Sequence, residues 1–216
     1  SGYAIFFMLG LRHIGAGRAA VIFSINPALI MLGAAWLFGE RLNRRILGGM
    51  ILAVGGSLIV AARGNPLLLL GALGTGEYLI FGCIFCWVSY SLIGRRVLTG
   101  IDALTATTAT ALIGGVMLLA VSLAAEGTAA WPGLAHIAPS IWLILLALSF
   151  GATLLAYLWY FEGIAALGAG STAAYMTLIP VFAVLIAALW LHEPLTLSLV
   201  AGGTLTVCGM LLMQSG

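Results

Sequence analysis

The chain has 216 residues, of which 63% are hydrophobic and only 6% are charged. A soluble domain carries about 25% charged residues, so this composition excludes a water-soluble protein and predicts lipid around the chain. The net charge of +2 is too small to indicate nucleic acid binding. The cysteines all fall in apolar stretches and do not resemble a secreted disulfide framework.

Apolar runs of about 17–25 residues predict membrane-spanning helices. Such runs occur at residues 19–38, 46–62, 78–94, 103–125, 141–163, 171–191 and 197–213. Residues 1–11 look like the end of a further helix, which predicts that the chain is an N-terminally truncated part of a longer protein. All spans should be helical, because lipid offers no partner to unpaired backbone groups.

Residues 10–58 and 163–211 align without a gap at a fixed shift along the sequence. The identities fall at positions where backbone geometry constrains the choice: Gly10/Gly163, Gly15/Gly168, Gly17/Gly170, Pro27/Pro180, Ala34/Ala187, Glu40/Glu193, Leu42/Leu195, Gly49/Gly202 and Gly56/Gly209. A duplicated apolar segment with a mid-helix proline is typical of transporters built from internal repeats.

The repeat also predicts the orientation of its copies. If the copies are equal, each has five helices, and an odd number inserts the second copy upside down relative to the first. The turns 39–45 and 95–102 carry most of the arginines, which favours their placement in the cytoplasm. We therefore predict an all-α membrane bundle of two inverted-topology repeats. Residues 1–62 would end the first repeat, 63–76 form a linker, and 77–214 form the second repeat.

Several short motifs resemble the EamA-type repeat of the drug/metabolite transporter superfamily. They are the segment 153–164, Leu167-Gly168-Ala169-Gly170, Ile179-Pro180-Val181-Phe182 and His192-Glu193-Pro194-Leu195, with Gly15-Ala16-Gly17, Pro27 and Gly39-Glu40-Arg41-Leu42 in the first copy. The resemblance implies a ten-helix fold, of which about seven to eight helices are present here. It also implies cytoplasmic termini and export of amino acids or other small metabolites through a central cavity.

Aromatic and hydroxyl side chains spaced along two spans suit a cavity for an amphipathic solute. The alternative for tryptophan and tyrosine is the lipid headgroup region, which fits Trp131 and Trp142 better. The candidate solute-binding residues are Asn26, Trp87, Tyr90, Ser91, Thr153, Tyr157, Tyr160 and Tyr175.

Pro27 and Pro180 lie in the middle of corresponding spans, where each removes a backbone donor. Such a kink could open space for a solute or provide a bending point. The alternative is a packing kink satisfied by neighbouring helices.

Three acids stand out in this apolar sequence. Glu162 could carry a coupling proton, although the glycines that follow it also fit a position near the interface. Glu40 and Glu193 end their helices and precede good N-cap residues, so we predict that they stabilise the turn and the start of the next helix. A role in gating is open for both.

The sequence predicts no metal site and no cofactor. Cys83 and Cys86 have the C-x-x-C spacing, but they lie in an apolar span without a second pair, so we interpret them as packing residues. The histidines are scattered and form no ligand set.

The pattern as a whole predicts a secondary transporter of the bacterial cytoplasmic membrane that exports small organic solutes. Nucleotide hydrolysis is not expected, because no glycine-lysine phosphate loop is present; proton coupling is open. Glycines at intervals of seven near the end of each copy predict close helix packing, either between the copies or in a homodimer. Two other classes remain open: an integral-membrane enzyme acting on lipid-soluble substrates, and a membrane scaffold that transports nothing.

Overall fold

The computed structural model describes residues 2–40, 42–62, 74–127, 137–191 and 197–214. Every regular element in these ranges is helical. In chain order the elements are α1 Gly2–Leu11, α2 Ala16–Phe23, α3 Asn26–Phe38, α4 Arg44–Ala61, α5 Thr75–Val97, α6 Ala103–Glu126, α7 Pro139–Ala147, a π-helical segment Leu148–Leu155, α8 Ala156–Leu167, α9 Ala169–Met176, α10 Ile179–Leu191 and α11 Leu197–Gln214.

Five stretches are long and apolar enough to cross a membrane, and they match the first five predicted spans: Arg18–Phe38, Arg44–Ala61, Thr75–Val97, Ala103–Ala125 and Pro139–Leu167. The predicted span 171–191 holds two shorter helices, α9 and α10, and the span 197–213 corresponds to α11. The predicted all-α membrane fold is therefore confirmed. Most of the predicted linker lies outside the described residues.

The chain divides into two compact units. One comprises residues 94–166, and the other comprises residues 2–93 together with 167–216. This division differs from the predicted repeat boundaries because helices of the two copies pack on each other within the second unit. The repeat boundaries themselves stay a prediction.

The closest helix contact of the second unit joins α4 and α11. A Cβ built on Gly49 would lie 2.5 Å from the carbonyl oxygen of Gly209, and a Cβ built on Gly56 would lie 2.5 Å from that of Gly202. Residue numbers that rise along α4 meet numbers that fall along α11, so the two helices are antiparallel. The backbones approach this closely because these positions have no side chain.

The α4–α11 contact relates the two copies by an approximate two-fold axis. Gly49 and Gly202 are counterparts in the sequence repeat, and so are Gly56 and Gly209, so each copy offers the same positions to the other. The pair's centre lies at Ala53, whose carbonyl accepts a hydrogen bond of 3.5 Å from the Thr206 hydroxyl. Antiparallel counterparts are what inverted repeats require. The four glycines are therefore used between the copies within one chain.

Both corresponding spans are interrupted before their proline. Residues Ser24 and Ile25 separate α2 from α3, and Thr177 and Leu178 separate α9 from α10. Pro27 consequently lies in the first turn of α3, where its missing N–H costs no helical hydrogen bond. Each proline thus lies in the first turn of the helix that follows the interruption, and a kink at these points stays a prediction.

Local sequence signals explain how α3 ends and α4 begins. Gly39 closes α3 with a φ of 67°, a backbone conformation that glycine adopts without steric cost. Asn43 then caps α4, and its side-chain oxygen accepts the N–H of Ile46 at 2.8 Å. Glu40 lies between these two signals, beyond the end of α3.

The predicted span 141–163 is longer and less regular than expected. It contains the eight-residue π-helical segment Leu148–Leu155, which separates α7 from α8. A π-helical turn widens the helix and is frequently found at functional sites. Nothing in the apolar sequence of this segment indicates the change from an α-helix.

Two neighbouring glycines of α4 test the α4–α11 packing, because Gly56 contacts α11 and Gly55 does not. We expect Gly56→Ala to lower the free energy of unfolding by about 1–3 kcal/mol relative to Gly55→Ala, because only the first added methyl overpacks the interface. A Cβ on Gly55 meets nothing within 4 Å, while both changes gain the same helix propensity. Detergent-dependent unfolding followed by circular dichroism measures the difference; equal stabilities would contradict the packing.

Candidate functional site

The first helix break carries a buried amide side chain with an unused acceptor. Asn26 is 3% exposed, and within the described part of the chain its Oδ1 accepts no hydrogen bond. Its neighbour Ser24 is also buried, but the Ser24 hydroxyl donates to the Ala20 carbonyl at 3.0 Å. Burying a polar atom without a partner costs free energy. Asn26 is therefore the position at this break where a bound solute could supply the missing hydrogen.

A cluster of aromatic rings borders the same break. It joins Tyr3 and Phe7 of α1, Phe23 at the end of α2, and Trp87 and Tyr90 of α5. The Trp87 ring centroid lies 5.3 Å from that of Tyr3 and 5.8 Å from that of Tyr90. The spacing along α5 that selected Trp87 and Tyr90 thus places both in one aromatic wall.

Ser91 lies on the same face of α5 but has a different environment. It is fully buried, and its hydroxyl donates to the Trp87 carbonyl at 2.8 Å. This bond within the helix satisfies the hydroxyl locally, as serine often does in apolar helices. The structure gives Ser91 a role in α5, and contact with a solute stays a prediction.

The second break has its own polar groups. Thr177 is buried, and its hydroxyl donates to the Ala174 carbonyl at 2.7 Å. Tyr175 lies on the last turn of α9 and is 43% exposed. The counterpart of Asn26 in this copy is Ile179, so the unused acceptor occurs at one break only.

The two breaks lie at the same end of a helix pair. Gly170, near the start of α9, approaches the backbone of Met31 in α3, and Glu40 beyond the end of α3 contacts the first turn of α9. The pair is therefore antiparallel, and the opposite ends of α3 and α9, which carry the breaks, face the same direction.

The remaining predicted solute-binding residues belong to the unit of residues 94–166. Thr153 lies in the π-helical segment and is exposed, whereas Tyr157 and Tyr160 are half-buried on α8. The ring of Tyr160 lies 6.4 Å from that of Phe161, which is almost fully buried. Glu162, the candidate proton carrier, is exposed on α8.

The structure adds distant partners to the predicted role of Glu40. Asn43 caps α4 as predicted, and stabilisation of the turn by Glu40 stays a prediction. The Glu40 carboxylate also accepts the backbone N–H groups of Ala169 at 3.2 Å and Gly170 at 3.1 Å, at the start of α9. An anion at a helix N-terminus is favoured by the helix dipole. Its repeat counterpart, Glu193, lies outside the described residues.

A buried ion pair was not predicted from the sequence. The Arg18 guanidinium lies 2.6 Å from a carboxylate oxygen of Glu77, whose side chain is 5% exposed. The other Glu77 oxygen accepts the N–H of Gly74 at 2.9 Å. A lone acid at the start of an apolar span needs a partner, which is the signal that could have indicated a pair. The choice of Arg18 depends on packing between distant segments.

The cysteine pair behaves as packing. Cys83 is fully buried, and its thiol contacts the Tyr3 carbonyl at 3.3 Å. Among the residues that the structure describes, no group of three histidine, cysteine or acidic side chains could hold a metal ion.

Comparison with known proteins agrees with an all-helical membrane fold. The profile of the EamA-like transporter family matches residues 1–62 and 74–215. The chain therefore belongs to the EamA-like transporter family, which places it among membrane transporters rather than enzymes.

Curated relatives are similar over almost the whole chain. The uncharacterized transporter YyaM of Bacillus subtilis is 28% identical over 97% of this chain and 68% of its own length. A Streptantibioticus cattleyicolor protein named "Probable terminal-alkyne amino-acid exporter" is 27% identical over 99% of this chain and 69% of its own length. The chain thus spans about two thirds of the length of these relatives.

A solved crystal structure has the same fold. It matches 99% of this chain and 72% of its own with a TM-score of 0.79 at 22% sequence identity. The likeness supports the helix arrangement described above.

The unused acceptor at Asn26 generates a prediction about stability. We expect Asn26→Leu to leave the free energy of unfolding unchanged or to raise it by up to about 1–3 kcal/mol, because it removes a buried acceptor without a partner. The matched change Asn43→Leu removes a helix cap and should cost about 1 kcal/mol. Thermal unfolding in detergent compares the two variants. If Asn26→Leu destabilises more than Asn43→Leu, the Asn26 amide is a structural group.

Proposed function

We propose that this protein exports small organic solutes across the bacterial cytoplasmic membrane by alternating access. The observation that carries the proposal is the pair of helix breaks at corresponding positions of the two copies. Broken helices in a repeat-built membrane protein expose backbone groups and tolerate bending, and transporters bind solutes at such points. The family membership and the exporter among the relatives support the same class.

The proposed binding site lies at the level of the two breaks. Asn26 accepts a hydrogen bond from the solute, and the rings of Trp87 and Tyr90 cover its apolar part. Tyr175 contributes from the second break, and Ser91 from α5. Solute contact by Thr153, Tyr157 and Tyr160 is a separate proposal, because these residues belong to the unit of residues 94–166. A solute with an N–H or O–H donor on an apolar body, such as an amino acid, fits this combination.

The energy for export would come from a proton gradient or from the gradient of the solute itself. Glu162 is the proposed proton carrier, since it is an exposed acid within an apolar span. A homodimer is a further proposal for which the glycine contacts described above give no support, because those glycines face each other within one chain.

Flux measured in proteoliposomes tests the proposed function. Radiolabelled apolar and aromatic amino acids are the probes, and we expect saturable flux that Trp87→Ala and Tyr157→Ala each reduce at least about tenfold, a loss of about 1.4 kcal/mol. Trp36→Ala is the control, because Trp36 is 84% exposed on α3 and faces away from the packed residues. Normal flux in both site variants removes those residues from the cavity.

The same assay separates the competing functions. A carrier shows saturation, a membrane enzyme converts the probe, and a scaffold shows neither. For the coupling, flux against imposed pH gradients should lose its pH dependence in Glu162→Gln. An unchanged pH profile in that variant contradicts its role as proton carrier and leaves transport itself intact.

A further inference from the structure

The Glu40 carboxylate forms a bridge between the two copies of the repeat. Glu40 belongs to the turn after α3, in the first copy, whereas Ala169 and Gly170 begin α9, in the second. Each carboxylate oxygen takes one backbone N–H, at 3.2 Å from Ala169 and 3.1 Å from Gly170. Both bonds join an ionised acceptor to the positive end of a helix, which makes them stronger than neutral hydrogen bonds.

Two glycines give the carboxylate access to α9. A Cβ built on Gly168 would lie 2.6 Å from Glu40 Oε1, and a Cβ built on Gly170 would lie 2.6 Å from Oε2. Gly168 also has a φ of 90°, which other residues rarely adopt. The corner before α9 is therefore shaped to receive the side chain of Glu40, and a larger residue at either glycine would displace it.

Next to the bridge, α3 packs on α9 within the second unit. We call this packing, centred on Met31 and Ala174, the seal. Met31 and Ala174 are buried together, with Leu42 and Met213 of the same unit against them. Gly170 allows the close approach, since its Cβ position lies 3.5 Å from the Met31 Cα. The seal lies between the turn at residues 39–43 and the two helix breaks.

The seal has no matching counterpart on the other side of the breaks. In the repeat, α10 is the counterpart of α3, and α2 is the counterpart of α9. Among the described residues, α2 and α10 are not packed on each other as α3 and α9 are. The two ends of the structure therefore differ, although the sequence repeat would allow both to close alike. Packing of α3 on α9 without the same packing of α2 on α10 is what distinguishes an access state that is closed on one face.

We propose that Glu40 is a latch that keeps the membrane face carrying the 39–43 turn closed, by holding α3 on the first turn of α9. This inference rests on the proposed transport function. When the latch opens, water can solvate both the carboxylate and the freed N–H groups, so the bonds exchange rather than disappear. Because water replaces the lost hydrogen bonds, opening the bridge costs little net free energy, and the closed state can open during a transport cycle.

Cysteine accessibility tests the latch without any solute. Cys83, Cys86 and Cys208 are replaced by serine in the natural full-length protein, and Ala174→Cys supplies a buried reporter on α9. A membrane-impermeant maleimide is added to inside-out and right-side-out vesicles in separate experiments, and the labelling rate is measured. Flux of the amino-acid probes is recorded on the same preparations.

Asp102→Ala is the matched control. Asp102 also caps a helix N-terminus, since its carboxylate accepts the N–H of Thr105 at 2.9 Å, but it does so at the start of α6, its own helix. The side-chain and backbone hydrogen bonds from Thr105 lower the pKa of Asp102, so it is a charged cap, as required for comparison with Glu40. Of these two caps, the Glu40 cap joins elements that are distant in the sequence, and the Asp102 cap does not.

We expect Glu40→Ala to raise the labelling rate at residue 174 at least about tenfold, from the face carrying the 39–43 turn alone. Glu40→Gln keeps one acceptor oxygen and should give a rise of about threefold, and it replaces the alanine variant if that variant does not fold. Asp102→Ala should stay within about twofold of the parent.

Unchanged labelling in Glu40→Ala, or in Glu40→Gln where only that variant folds, would overturn the latch. So would an equal rise in Asp102→Ala, which would point to general loosening, or a rise from the opposite face. Failure of the transport proposal looks different, because the parent protein would then show no saturable flux whatever the labelling rates are.

Discussion

The close approach of α4 and α11 is the constraint on which the second unit depends. In lipid, helices gain little from hydrophobic burial against each other, so association relies on tight packing and on polar contacts between helices. Gly49, Gly56, Gly202 and Gly209 provide the close approach, and Thr206 adds a hydroxyl at its centre. Because the same positions of both copies meet, the contact also determines that the copies are antiparallel.

The helix breaks lie in spans that the α4–α11 contact leaves free to pack differently in the two copies. With α4 and α11 joined, the broken spans of the two copies are free to differ, and α3 packs on α9 at one end only in the described structure. Each proline lies in the first turn of the second of two short helices, a position where its missing N–H costs no helical hydrogen bond. The bridge from Glu40 then acts on a half-helix rather than on a whole membrane span. In the account proposed here, the packing, the breaks and the latch all follow from one duplication.

Local sequence features predicted the parts of the fold that depend on local geometry. The apolar runs located the first five spans, the residue that caps α4 was recognised after Glu40, and the glycine spacing indicated close helix packing, either between the copies or in a homodimer. The prolines indicated irregular helices, but not that the break precedes Pro27 by two residues. The π-helical segment Leu148–Leu155 was not predicted, because its apolar residues favour an α-helix equally well.

The candidate site was predictable in its residue types and not in its contacts. Aromatic spacing on α5 selected Trp87 and Tyr90, yet their neighbour Tyr3 lies in a helix far away in the sequence. Glu40 was predicted to stabilise its own turn, and the structure adds backbone partners that lie 129 and 130 residues away. The Arg18–Glu77 pair was missed for the same reason. Long-range polar partners follow from packing, which no single-sequence pattern encodes.

One measurement tests the antiparallel doubling directly. Cysteines placed at Arg45, at the start of α4, and at Leu197, at the start of α11, are labelled with an impermeant reagent from each side of sealed vesicles. The structure predicts that the two positions react from opposite sides, since each helix begins where its partner ends. Reaction of both positions from the same side would contradict the inverted arrangement, and with it the origin proposed here for the breaks and the latch.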